Sequence, residues 1–132
     1  TVLIEFSRGS EHGGYRSAFE HISKEVAQRM AVLYLDVSWE ESLRKNRKRF
    51  NPDKPDSILE HGLEDAKLER LYKEVDWHEV SAGDKTRLTV NGVKVPYVVF
   101  DNQDDVTSPR GEELGLRLES CLQQMWSSYS SG

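Results

Sequence analysis

Ala31-Val32-Leu33-Tyr34-Leu35-Asp36-Val37-Ser38-Trp39-Glu40-Glu41 is the stretch that decides the fold class. Its first five residues form an unbroken apolar run, the pattern of a strand covered by helices on both faces of a parallel sheet. Ser38 and Glu41 then stand at capping-box spacing. The Ser38 hydroxyl is placed to accept from the Glu41 amide, and the Glu41 carboxylate to reach back to the Ser38 amide. A strand running directly into a capped helix is a basic unit of α/β proteins. The helix is expected to reach about Phe50. There Asn51-Pro52-Asp53-Lys54-Pro55-Asp56 carries two prolines that cannot continue it.

Upstream, Val2-Leu3-Ile4 is a second continuous apolar run, and Ala18, Phe19, Ile22, Val26 and Met30 fall between the two at helical spacing. This reads as a crossover helix joining two parallel strands, one βαβ unit. Downstream, Ser57 and Glu60 repeat the capping-box spacing. The helical pattern breaks near Gly62 and resumes through Leu63, Leu68, Leu71 and Tyr72 toward Trp77. Thr86 to Val90, Asn91-Gly92 and Val93 to Val95 spell a tight β-hairpin, whose two turn residues need positive φ. Pro96 is expected to mark the exit from the hairpin, after which Tyr97-Val98-Val99-Phe100 enters the main sheet. Ser108-Pro109 reads as an N-cap with proline at the first helical position. It opens a helix with Leu114, Leu118, Leu122 and Met125 on one stripe and Cys121 packed beside it. The expected architecture is α/β: a single domain over residues 1–126, with a mainly parallel sheet and flanking helices. It includes a helical segment over 38–80, one β-hairpin over 86–95, and a low-complexity, frayed tail over 127–132.

A chain of 132 residues suffices for one core, and its net charge of -5, from 18 basic and 23 acidic residues, argues against general affinity for nucleic acid or an anionic membrane. No apolar run approaches the roughly 18 residues that cross a bilayer. With Cys121 as the only cysteine, no internal disulfide or cysteine metal site forms, and a reducing, cytoplasmic setting is expected. His12, His21, His61 and His78 show no metal-binding spacing, so no metal site is expected. The chain opens abruptly inside a strand-like run.

Several residues stand out chemically. Arg44, Lys45, Arg47, Lys48 and Arg49 form a basic run on the helix after Ser38, with Lys45 and Arg49 one turn apart and Trp39, Leu43 and Phe50 able to pin another face to the core. The same run would also make an ordinary solvated helix face. Glu5 and Arg8 follow an apolar strand, at the end where ligands collect in open α/β sheets, or else form a structural ion pair. Gly9, Gly13 and Gly14 permit close backbone approach there, and Arg16 is either a further anion contact or a helix-start surface residue. Asp36 is explained by the positive end of the following helix. Asn102 lies in Asp101-Asn102-Gln103-Asp104-Asp105, a segment whose composition also suits turns.

Leu35 to Arg49 resembles the strand-to-lid segment of P-loop nucleoside and nucleotide kinases of the thymidylate-kinase type, in which a strand ending in Leu-Asp precedes a capped helix closing in an Arg-x-Arg run. Ile4-Glu5-Phe6-Ser7-Arg8-Gly9 is similar to that family's acidic-then-arginine strand end, and Val95 to Asn102 to its last core strand and base-side loop. The resemblance covers most of this chain but only the back half of the family's fold. No G-x-x-x-x-G-K-[ST] loop occurs anywhere, Lys45 stands where an arginine is common, and Asn46 where an apolar residue is common.

The resemblance implies an ATP- and magnesium-dependent phosphoryl transfer to a nucleoside- or nucleotide-like small molecule. Glu5, Arg8, Lys45 and Arg49 would act at the reacting phosphate, and Arg16, Arg47 and Asn102 would bind substrate or nucleotide. Without the phosphate-binding loop the chain is expected to be inactive or feeble alone, unless an upstream segment or a second chain supplies that loop. The alternative from another class is a non-catalytic interaction module on a kinase-derived scaffold, with the hairpin and the Trp77 region as its contact surface. A third reading, a weak polyanion binder using the basic helix, fits the net negative charge least.

Overall fold

The computed structural model describes residues 1–57 and 62–131. Its described elements run from a 3-10 turn at Ser10–His12 through α1 (Gly14–Glu20), α2 (Lys24–Ala27), β1 (Val32–Asp36) and α3 (Trp39–Arg49). They continue with α4 (Asp65–Tyr72), α5 (Trp77–Ser81), β2 (Arg87–Val90), β3 (Val93–Asp101) and α6 (Glu112–Ser130). The class is mixed α/β. The sheet has strand order β1-β3-β2, with β1 parallel to β3 and β2 antiparallel to it, so it is mixed rather than mainly parallel.

The decisive stretch forms as its pattern dictates. Val32 pairs with Tyr97 and Asp36 with Asp101 in parallel register, and α3 starts at the Ser38 cap, whose Oγ accepts from the Glu41 amide at 3.2 Å. The other half of the capping box is missing because the Glu41 carboxylate takes the Arg44 guanidinium instead. The hairpin also forms as expected, with Asn91 at φ 49° and Gly92 at φ 77°.

Pro96 does not end the hairpin. β3 runs unbroken from Val93 to Asp101, pairing with β2 along its first half and β1 along its second. The Tyr97 amide donates to Thr86 O at 2.9 Å, so the Pro96 nitrogen, one residue earlier, faces the opposite side. There β1 begins only at Val32, opposite Tyr97, and the missing donor costs no ladder bond.

The expected first strand is overturned. Val2, Leu3 and Ile4 belong to no ladder, and Leu3 is 96% exposed. The parallel partner of β1 is β3, so the βαβ unit expected across residues 2–35 does not exist. Its crossover helix is two short ones, because Ser23 starts a new helix by accepting from the Val26 amide at 3.3 Å. Helix α6 starts at Glu112, not after Ser108. The Ser108 amide is captured by Asp105 Oδ1, and Arg110 sits at φ 55°, a conformation no helix continues through. At its far end α6 stays helical to Ser130, where a frayed tail was expected. The Ser57–Glu60 capping box falls partly outside the described residues.

Two cores lie on opposite faces of the sheet. Phe19, Ala27 and Trp77 from the helices meet Leu88, Val90, Val95 and Tyr97 on one face, with Tyr34 stacked on Trp77 at 4.1 Å between ring centres. On the other face Leu114, Cys121 and Met125 of α6 cover Val98, Phe100 and Leu33. Leu118, Leu122, Trp126 and Tyr129 continue the apolar surface of α6 but stay exposed, and Leu35 is exposed beside the unpaired edge of β1. Of the residues expected to pin α3, Trp39 and Leu43 are half-buried and Phe50 is exposed, while the residue the helix buries is Asn46.

Candidate functional site

The carboxyl ends of β1 and β3 lie side by side, and the loop after β3 is built tightly upon them. The Asn102 amide donates to Asp36 O at 2.9 Å. The Asn102 side chain, 3% exposed, accepts from the Val106 amide at 3.0 Å and donates to Thr107 Oγ1 at 3.0 Å. Asp105, at φ 54°, donates its own amide to Asn102 O and points its carboxylate back toward α3. Arg117 of α6 clamps the far side, gripping Asp104 with two hydrogen bonds of 2.6 and 2.9 Å and donating to Asp101 O at 2.8 Å. Asn102, proposed from sequence as a nucleotide contact, therefore spends its side-chain amide on ordering this loop.

Helix α3 lies over the loop and is tied to it by charge. Lys45 Nζ reaches Asp105 Oδ1 at 2.8 Å and Thr107 Oγ1 at 3.1 Å, while Arg44 bonds both Asp105 Oδ2 and the two carboxylate oxygens of Glu41. Thr107 Oγ1 donates on to Asp105, closing the network. The Lys45 ammonium, then Ser108 and the Arg44 guanidinium, hold the Asp105 carboxyl well below the usual carboxylate range. Hydrogen bonds to Glu41 and then Asp105 push the Arg44 guanidinium up, and Arg44 holds Glu41 down in turn. Beside these groups lies a shallow, open depression of about 520 Å³, whose lining includes Glu41, Arg44, Lys48, Asp105 and Ser108.

The other flank of α3 is fastened to the segment that follows. Asn46 donates to Leu63 O at 2.7 Å and accepts from the Leu63 amide at 2.9 Å, so one buried amide serves as a two-point clasp. Arg47 pairs with Asp65 at 2.9 Å, both exposed. Lys48 and Arg49 have no acidic partner among the described residues. The positively charged positions still open to a ligand are therefore Lys48, Arg49 and the third proton of Lys45.

Glu5, Arg8 and Arg16 lie elsewhere. Glu5 is exposed in the extended leading segment and makes no ion pair with Arg8, whose Nε donates to His12 O at 2.8 Å. Gly9 packs so closely on α4 that an added Cβ would lie 1.7 Å from Arg70 O, and the Ser10 amide donates to Glu74 O at 2.8 Å. Arg16 lines a separate depression of about 480 Å³ between α1 and the hairpin, beside Glu79, Asp84 and Lys94. The sequence-derived site thus divides into an α3 group (Lys45, Arg47, Arg49, Asn102) and an α1 group (Arg8, Arg16). α4 bridges the two, and no hydrogen bond or ion pair among the described residues joins them directly.

Asp105, Thr107 and Asn46 are the members that sequence reasoning missed. Lys45 and Asp105 are 60 positions apart, and no local spacing rule connects them. Asp105 sat in plain view within a turn-rich acidic segment. Among the described residues no group of three or more His, Cys, Asp or Glu side chains converges to hold a metal ion, and no helix is long and apolar enough to cross a membrane. Comparison with protein-family models, with curated proteins and with solved structures gives no match for this chain.

Proposed function

We propose that this chain is the substrate-and-lid portion of an ATP-dependent phosphotransferase acting on a nucleoside- or nucleotide-like small molecule, with the phosphate-binding loop supplied by an upstream segment or a second chain. One observation carries the reading: the basic helix α3 is held directly over the loop that leaves the carboxyl ends of two parallel strands. Ligands collect at that place in open α/β sheets. Phosphoryl transfer asks the protein mainly to position groups and to neutralise charge on equatorial oxygens, work suited to a row of lysines and arginines on one helix. Lys45 and Arg49 act as lid cations, with Lys48 beside them. Among the described residues no carboxylate cluster builds a magnesium site, so the metal would arrive with the ATP phosphates. Glu5 and Arg8 keep the acidic and basic roles that the resemblance implies, away from α3 and with no ion pair between them.

The test is a thermal-shift screen of the chain against ATP, with and without magnesium, and against nucleosides. The kinase reading expects ATP to raise Tm and Lys45→Ala with Arg49→Ala to abolish the rise. A second reading, the non-catalytic interaction module, is favoured by the exposed Leu118, Leu122 and Trp126 of α6, whereas Trp77, the contact residue expected from sequence, is buried in the core. That reading expects no nucleotide to raise Tm at all.

A further inference from the structure

One lid cation, Lys45, already has an anion. Asp105 sits 2.8 Å from Lys45 Nζ, bonds the Arg44 guanidinium, and has a side chain only 13% exposed, so that with Glu41 on Arg44 these two cations are neutralised from within. Resting on the kinase reading above, the geometry points to Asp105 as the residue that sets ligand affinity and class at this site. Its carboxylate occupies the place of a ligand phosphate, and only a polyphosphate carries enough charge to displace it.

The physical argument is one of exchange. Lys45 uses two of its three protons on Asp105 and Thr107, and Arg44 spends its forked edge on Glu41 and Asp105. A monoanionic ligand arriving at Lys45 and Arg44 replaces one carboxylate with another and gains nothing. Orthophosphate brings a charge between one and two at neutral pH and gains little. A pyrophosphate or triphosphate chain spans Lys45, Lys48 and Arg49 together. It adds the two unpartnered cations to the exchange and leaves the released Asp105 exposed to water in the open depression beside it. Asp105 thus sets a threshold of affinity that a polyphosphate clears through Lys48 and Arg49 and a monophosphate does not.

The experiment is calorimetric titration of the full chain with pyrophosphate and with orthophosphate, for wild type and Asp105→Asn. Asparagine tolerates the φ of 54° and keeps an oxygen for the Ser108 amide and the Thr107 hydroxyl, so it removes the charge and little else. If the asparagine variant does not fold, Asp105→Gly, which adopts that φ freely, takes its place. The expected result is pyrophosphate binding tightened about tenfold and orthophosphate binding raised into the measurable range, because the lost carboxylate is a competitor removed from every anion alike. Unchanged or weaker pyrophosphate binding in the variant overturns the inference while wild-type binding leaves the kinase reading standing. Binding by the variant alone supports it. If neither protein binds pyrophosphate, both are overturned.

Discussion

Gly14→Ala tests how the α1 side of the molecule is held. Gly14 adopts φ 65°, and an alanine Cβ built there would lie 2.4–2.5 Å from all three carboxyl atoms of Asp76. That carboxylate is the N-terminal anchor of α1, accepting from the Tyr15 amide at 2.6 Å and the Arg16 amide at 3.1 Å. Alanine in the left-handed region costs about 1–2 kcal/mol, and driving Asp76 off the helix start costs roughly another 0.5–2 kcal/mol, the usual value of a lost N-cap. The sum, about 1.5–4 kcal/mol, would be a large share of the roughly 5–15 kcal/mol that stabilises an ordinary domain. Urea unfolding, followed by circular dichroism and tryptophan fluorescence, measures it. Asp76→Ala alone should cost only the cap, and the double variant should fall short of additivity by about 1 kcal/mol, because the cap can be lost only once. A Gly14→Ala cost below about 0.5 kcal/mol, or strict additivity with Asp76→Ala, would refute this reasoning.

Asn46→Ala removes both partners of the Leu63 backbone at once and should cost about 2–3 kcal/mol, measured in the same urea assay; a loss under about 0.5 kcal/mol would mean that water replaces the clasp. Burial, then Tyr15 and Asp36, push the Tyr34 hydroxyl up to about 12. A folded pKa raised above the unfolded value of about 10 contributes stability that is complete below that value and is lost as pH rises through the folded one. Tm should therefore fall between about pH 10 and 12, and the fall should be smaller in Tyr34→Phe. Equal alkaline losses in both proteins would assign the effect to other groups.

What the sequence disclosed was whatever short-range chemistry controls. Ser38 and Glu41 announced the start of α3, and Asn91-Gly92 the hairpin, because a cap and a two-residue turn are decided within a few residues. Val2-Leu3-Ile4 misled for the opposite reason. An apolar run is a strand only where a neighbour takes its backbone hydrogen bonds, and no described segment does so here. Ser108-Pro109 carried a sound helix-start signal that Asp105 overrode by taking the Ser108 amide. The basic helix over the sheet was legible as a charged run at helical spacing. Its neutralisation by Asp105 was not, since the ion pair depends on a loop folding back across the ends of two strands. Asn46 looked like a polar intruder on a helix that should pack through Phe50, yet it is the residue α3 buries, because Leu63 offers it both a donor and an acceptor.

The most direct test of the lid reading is a titration of the isotope-labelled chain with ATP, followed by amide chemical shifts. Shifts should concentrate at Lys45, Lys48 and Arg49 and at the Asn102 to Ser108 loop, and should vanish in the Lys45→Ala, Arg49→Ala variant. Shifts confined to the Arg16 and Lys94 depression, or no shifts at millimolar ATP, would contradict it.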